Sequence, residues 1–195
     1  FVDRGIGLSV FYDRGDGNLP WQRLSVRTAT RRELGPFQLF ARGDAGTLLG
    51  TPIPQEMFEL GGDLGLPGYG YKEFAGDRAA LVRAVLGYTF PILTAPIHLP
   101  SRLLLLGLAP GVAAGIFGGW TEVSSDAARR ALLELGTTTD SLSGLPVPIS
   151  RATGGMRASA EFLVTFFSGA LAFGVTRPID QASGWKFTGR IGQGF

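Results

Sequence analysis

The sequence predicts an all-β fold: a transmembrane antiparallel β-barrel, of which residues 1–195 supply the C-terminal portion, about nine strands of a larger closed sheet. Three observations carry this expectation. Alternation with period two recurs along the chain. Charged side chains keep to one of the two alternating faces. The opposite face is almost purely apolar, with aromatics near the strand ends, as a lipid-facing surface requires.

The first strand is read in RGIGLSVFYDR, where Ile6, Leu8, Val10 and Tyr12 oppose Gly5, Gly7, Ser9 and Asp13. In WQRLSVRTATR, Leu24, Val26 and Thr28 oppose Arg23, Ser25, Arg27 and Arg31. A membrane helix would bear those arginines at high cost, whereas a water-filled lumen accepts them. FQLFARGD sets Phe37, Leu39 and Ala41 against Gln38, Arg42 and Asp44, and MFELGG reads as a short strand before a glycine-rich run. AALVRAVLGYTF sets Ala80, Val82, Ala84, Leu86, Tyr88 and Phe90 against Leu81, Arg83, Val85, Gly87 and Thr89.

Residues 103–121, LLLLGLAPGVAAGIFGGWT, carry no charge and admit two readings. Glycines at 107, 111, 115 and 119 suit a packed transmembrane helix. As a strand, Gly107, Ala109, Gly111, Ala113 and Gly115 form a small face, and Leu104, Leu106, Leu108, Val112, Ala114 and Ile116 an oily one. The alternation elsewhere selects the strand. RASAEFLVTF and SGALAFGVTR follow, joined by a minimal Ser168-Gly169 turn, and WKFTGRIGQGF closes the series, with Trp185, Phe187, Ile191 and Phe195 opposing Lys186, Thr188 and Arg190. The one predicted helix is SSDAARRALLELG, capped by Ser124 or Ser125, with Asp126 in its first turn and Gly136 as its stop. It lies in a long connection over 121–152. With Ser168-Gly169 on the periplasmic side, strand parity puts 61–78 and 121–152 both on the extracellular side. A soluble β-sandwich also alternates and is the competing fold.

Composition agrees with a membrane setting. Hydrophobic residues make up 45% and charged residues 17%, and mean hydropathy is +0.20. A net charge of +2 gives no case for nucleic acid. The absence of cysteine removes disulfides, thiolate metal sites and cysteine nucleophiles. The single histidine, His98, lies between prolines in TAPIHLPSR, with no nucleophile spacing around it. No catalytic, cofactor or metal site is expected, and no small-molecule substrate. The glycine run GGDLGLPGYGYKEFAGDR, 61–78, is not a phosphate loop: Gly70 is followed by Tyr71-Lys72-Glu73 rather than Lys-Ser/Thr. Nor does a βαβ helix follow it, as a dinucleotide site requires. Glu161 reads as a lone lumenal acid, either solvated in the lumen or ion-paired with nearby arginines, with Lys72, Arg78 and Arg83 as candidate partners.

The order of these parts resembles the C-terminal barrel of the BamA/TamA-type outer-membrane assembly proteins, the bacterial surface antigen family. Leu60-Gly61-Gly62 and Leu66-Pro67-Gly68-Tyr69, followed by FAGDR, resemble that family's large lumen-inserted loop. Tyr88-Thr89-Phe90-Pro91-Ile92 resembles the next strand end, and Val112, Ala113, Ala114 and Gly115 its lumenal strand motif. Residues 185–195, with Phe187, Ile191, Gly192 and Phe195, resemble its C-terminal β-signal. The resemblance implies a barrel of about 16 strands in the bacterial outer membrane. It also implies contact with outer-membrane lipid, with client polypeptides or with assembly machinery, and a non-enzymatic role in inserting or translocating polypeptide. An anchor or export pore for an N-terminal enzyme, such as a patatin-like phospholipase, is the second expectation. Two positions depart from the family. Its loop arginine is Pro67 here and its strand aspartate is Ala113, so both halves of an ionic lock are missing together.

Overall fold

The computed structural model describes residues 5–62, 65–98, 104–105, 107–135 and 150–192. Its twelve strands are β1 (Gly5–Gly15), β2 (Trp21–Leu34), β3 (Phe37–Gly50), β4 (Phe58–Leu60), β5 (Phe74–Gly76), β6 (Arg78–Thr89), β7 (Ile97–His98), β8 (Leu104–Leu105), β9 (Gly111–Glu122), β10 (Arg157–Phe166), β11 (Leu171–Pro178) and β12 (Lys186–Ile191). Among the described residues there is one α-helix, α1 (Asp126–Leu135), and one 3-10 turn, Pro54–Glu56. Eight strands form one antiparallel meander in the order β1-β2-β3-β6-β9-β10-β11-β12, and the remaining four make two small hairpins. All-β is therefore correct. Among the described residues the sheet is open, with β1 and β12 as its edges.

Register sorts every side chain onto one of two faces, because directly paired residues point the same way. On one face Val10 pairs Val26, Val26 pairs Ala45 and Ala45 pairs Ala80, and the row continues through Trp120. A second row runs from Leu39 through Leu86, Ala114, Phe162 and Val175 to Phe187. This face is bare: Ile6, Leu8, Val10, Val82, Ile116, Phe162 and Phe187 are all exposed. Its charges, Arg14, Arg32, Arg78, Glu122 and Arg177, stand within two residues of a strand end. Phe37, Tyr88 and Phe90 cluster at one margin, and Trp185, just before β12, packs on Phe162.

The opposite face is covered over β6, β9, β10 and β11. Leu81, Val85, Ala113, Phe117, Leu163 and Ala172 form a core with Leu60, Leu66, Tyr69 and Phe74 from the β3–β6 connection. Burial along β9 alternates strictly: Gly111, Ala113, Gly115, Phe117, Gly119 and Thr121 are buried, and Val112, Ala114 and Ile116 exposed. The helical alternative for 103–121 is thereby excluded over its larger part.

Four expectations need correction. The strand read from residue 103 begins at Gly111. Pro110 has no N–H to contribute to a ladder, Ala109 takes a positive φ of 35°, and the chain before it folds into the β7–β8 hairpin. His98 lies in that hairpin rather than in a bare turn. The strand read in MFELGG is β4, only three residues long, and it pairs β5 rather than joining the main sheet, which accounts for eight strands instead of nine. The Ser168-Gly169 turn is wider than expected, spanning 167–170, with Phe167 and Ser168 both at positive φ.

Strand parity places connections 16–20, 51–77, 123–156 and 179–185 at one end of the sheet, and 35–36, 90–110 and 167–170 at the other. The glycine run and the helical connection thus share an end. The helix begins as expected, with Ser125 as its cap: Ser125 Oγ accepts from Ala128 N at 3.1 Å. Asp77, 1% exposed, adds a second cap. Its carboxylate accepts from Ser124 N at 2.7 Å, Ser124 Oγ at 2.8 Å and Ser125 N at 3.1 Å. Ala128, Ala131 and Leu132 then pack on Met57 and Ala75, so the helix seats on the root of the glycine run. Gly136, its expected stop, lies outside the described residues.

Glu161 is ion-paired, but not with Lys72, Arg78 or Arg83. Its partner is Arg190 on β12, at 2.6 Å, reaching over β11. Lys72 pairs with Glu59 and Arg78 with Glu122. With Glu161 1% exposed, replacing Arg190 by leucine takes an ion-pair partner from a buried carboxylate. The expected loss is about 3–5 kcal/mol in a denaturant titration, and Glu161→Gln on the same background should recover most of it.

Candidate functional site

The site is the glycine run and what holds it to the covered face. β4 and β5 form its stem, pairing Phe58 with Gly76 and Leu60 with Phe74. Its tip folds down onto β9, β10 and β11, and residues 65–69 are all buried. Leu66 lies against Gly119, where a Cβ would come within 2.9 Å of the leucine's Cδ1; glycine there makes room for the tip. Gly68 has φ +91°, and a Cβ on it would meet Pro178 Cδ at 2.8 Å. Both its backbone angle and its contact demand glycine.

Tyr69 closes the tip. Its ring meets Phe74 edge-on, centroids 5.2 Å apart, and its hydroxyl donates a hydrogen bond to the Asp180 carboxylate. Arg157 Nη1 donates to the same carboxylate at 3.0 Å. Glu73 accepts from Gly70 N at 2.8 Å and from Arg151 Nη2 at 2.9 Å. Residues 150–153 then run as a strap along the loop. Arg151 bridges Phe74 in parallel, Ala75 N donates to Arg151 O at 2.9 Å and Arg151 N to Glu73 O at 3.1 Å. Ser150 Oγ donates to Lys72 O at 2.7 Å. Thr153 and Thr121 exchange hydrogen bonds and pin the strap to β9. Above Phe74 stand the guanidinium groups of Arg151 and Arg157, at 5.7 and 5.8 Å from its ring centre.

Burial, and then the hydrogen bond to Asp180, push the Tyr69 hydroxyl well above its usual pKa. Burial acts to raise Asp180, but hydrogen bonds from Tyr69 and Arg157 outweigh it and hold that carboxyl below its usual range. The hydrogen bond to Glu59 raises Lys72. For Tyr69 the folded chain keeps a proton that the unfolded chain loses near pH 10, so its contribution is complete below about pH 10 and fades above it. For Asp180 the contribution is present above about pH 4 and fades as pH falls further. Cleavage of the tip by subtilisin should therefore be slow and flat between about pH 5 and 9 and accelerate past about pH 10. In Tyr69→Phe the alkaline acceleration should vanish.

The residues singled out from sequence fall in three places. Leu66, Pro67, Gly68 and Tyr69 form the buried tip, and Gly61 and Gly62 the turn at its root, both at positive φ. Ala113 and Gly115 face the tip's side of β9, and Val112 and Ala114 the bare side. Ala113 stands six residues from the Gly119 contact of Leu66, about 20 Å along the strand. The structure does not bring Pro67 and Ala113 together. Phe187 and Ile191 project onto the bare face of β12, Gly192 follows at φ +100°, and Phe195 lies outside the described residues. Asp180 and the 150–153 strap gave no local signal, since their partners are up to 111 residues away in sequence. Phe74 had one, as the purely apolar aromatic in a run of glycines, tyrosines and charges.

No protein-family model matches the chain, and no curated protein matches it.

Proposed function

We propose that this chain is the membrane-embedded part of an outer-membrane β-barrel of the BamA/TamA-like kind, acting in the insertion or passage of polypeptide. The observation that carries the reading is the division of the sheet into a bare apolar face and a charged face covered in part by the chain's own loop. Residues 80–88 of β6 span about 30 Å at 3.4 Å per residue. A strand tilt near 40° leaves about 23 Å, close to the ~25 Å apolar band of an outer-membrane barrel. The charges at the margins of that face fit the same picture. Arg177, stacked 5.9 Å over Trp185, has the arrangement of a side chain that lays its stem on an oily surface and its head in the interface.

Polypeptide handling is supported by the sheet edge. β12 is six residues long, against 10 to 14 for β2, β3, β6, β9 and β10, so its ladder with β11 is short. A short terminal ladder suits exchange with a client strand by β-augmentation. One observation favours the second reading, an anchor or export pore for an enzyme: the loop is latched at its tip, its stem and its strap, the arrangement of a closed channel. A photocrosslinking side chain at Phe187 in the full-length protein separates the two. Capture of newly made outer-membrane proteins, with their levels falling on depletion, supports assembly. Capture of none, with levels unchanged, supports the anchor, and release of the protein without detergent supports a soluble sandwich.

A further inference from the structure

On the face opposite the bare one, β2, β3 and β6 carry guanidinium groups on consecutive rungs. Arg27 pairs with Asp44, Arg42 with Arg83, and Arg31 with Phe40. Each step is two residues, about 7 Å. Asp44 serves two of these arginines: its Oδ1 accepts from Arg27 Nε at 2.6 Å, and its Oδ2 from Arg42 Nε at 2.6 Å. Arg83 is not among its donors. That group lies on the Phe40 ring at 5.2 Å, its Nε is buried without a hydrogen-bond partner, and it is repelled by Arg42, Arg190 and Arg27 and attracted by Asp44.

Three guanidiniums thus surround one carboxylate, and two of them stand directly opposite each other, a placement that costs stability. Beside them is a cavity of about 340 Å³, lined by Arg27, Arg42 and Asp44 from the sheet and by Phe58, Tyr71 and Lys72 from β4 and the glycine run. The other cations on its wall are answered locally, Arg23 by Glu56 at 3.6 Å and Lys72 by Glu59 at 2.6 Å. The surplus positive charge is confined to one wall of the chamber, and apolar surroundings focus its field.

We propose that this chamber is a binding site for a multivalent anion, a cluster of phosphate or carboxylate oxygens held by Arg27 and Arg42 with Arg83 behind them. Guanidinium forks suit such oxygens because they donate two parallel hydrogen bonds. An anion there would also offset the Arg42–Arg83 opposition. The inference does not rest on the membrane reading, since the charges and the cavity are the same whatever covers the other face.

The test is calorimetric titration of the full-length protein in detergent with sodium pyrophosphate and, separately, with a hexaglutamate peptide, at ionic strength matched with sodium chloride. Binding of at least one probe is expected, weakened about tenfold or more in Arg42→Gln and strengthened in Asp44→Asn, which frees both forks. Pyrophosphate alone identifies free phosphate as the source, and the peptide alone identifies an acidic chain. Arg83→Gln should unfold at a higher temperature than the parent when no probe is present, a gain that a merely structural arginine would not give. Absence of binding by either probe to the folded parent, or equal binding by parent and Asp44→Asn, overturns the proposal.

Discussion

Replacing Ile116 with arginine is expected to lower the stability of the protein in lipid vesicles by about 2–4 kcal/mol, the cost of a cation at the bilayer midplane on the lipid face of a barrel. Ile116 lies midway along β9, is 63% exposed, and sits in a row with Ala84 and Ala160. On a surface facing water the same change would cost no more than about 0.5 kcal/mol. The effect should depend on depth. Trp120→Arg, four residues nearer the strand end on the same face, is expected to cost about 1 kcal/mol or less from the charge itself. Reversible denaturant titration in vesicles reads both values, and equal small costs at the two positions would remove the lipid assignment.

Phe74→Ala is the second large effect, expected at about 3–5 kcal/mol for a fully buried aromatic. Phe74 is 0% exposed and is the residue on which Tyr69, the strap and two guanidiniums converge. Because the eight-stranded ladder does not pass through it, the loss should appear as release of the tip, with the sheet intact. Subtilisin is expected to cut within 65–73 many times faster in the variant, with heat-modifiable gel mobility retained. Tyr71→Ala is the control: that ring is 74% exposed, and its removal should leave cleavage unchanged.

How much of this was readable beforehand follows from the range of each interaction. Alternation is a local property, so the eight long strands and their two faces were legible, from Ile6 and Leu8 through to Phe187. The helix was equally local, announced by its serine cap and Asp126. The strand start at Gly111 was misplaced because the apolar pattern runs through Pro110 without a break, and only the missing N–H and the positive φ of Ala109 mark the boundary. The latch was not legible. Family resemblance pointed to Pro67 and Ala113 as the place where a lock is missing. The hold instead comes from Tyr69 on Asp180, Glu73 on Arg151 and Leu66 on Gly119, partners brought together only by the fold. Likewise the Arg42–Arg83 opposition depends on the β3–β6 register, which a 27-residue connection (51–77) separates in sequence.

The central claim is that one face of the sheet meets lipid and the other does not. Since the chain has no cysteine, single cysteines at successive positions 112–120 of β9 can each carry a spin label in the full-length protein reconstituted in vesicles. Collision with oxygen, which concentrates in the bilayer, should be high at the even positions, greatest near 116, and low at 113, 115, 117 and 119. Collision with a water-soluble nickel chelate should be low at the even positions. A flat profile, or free access of the chelate to position 116, would contradict the account.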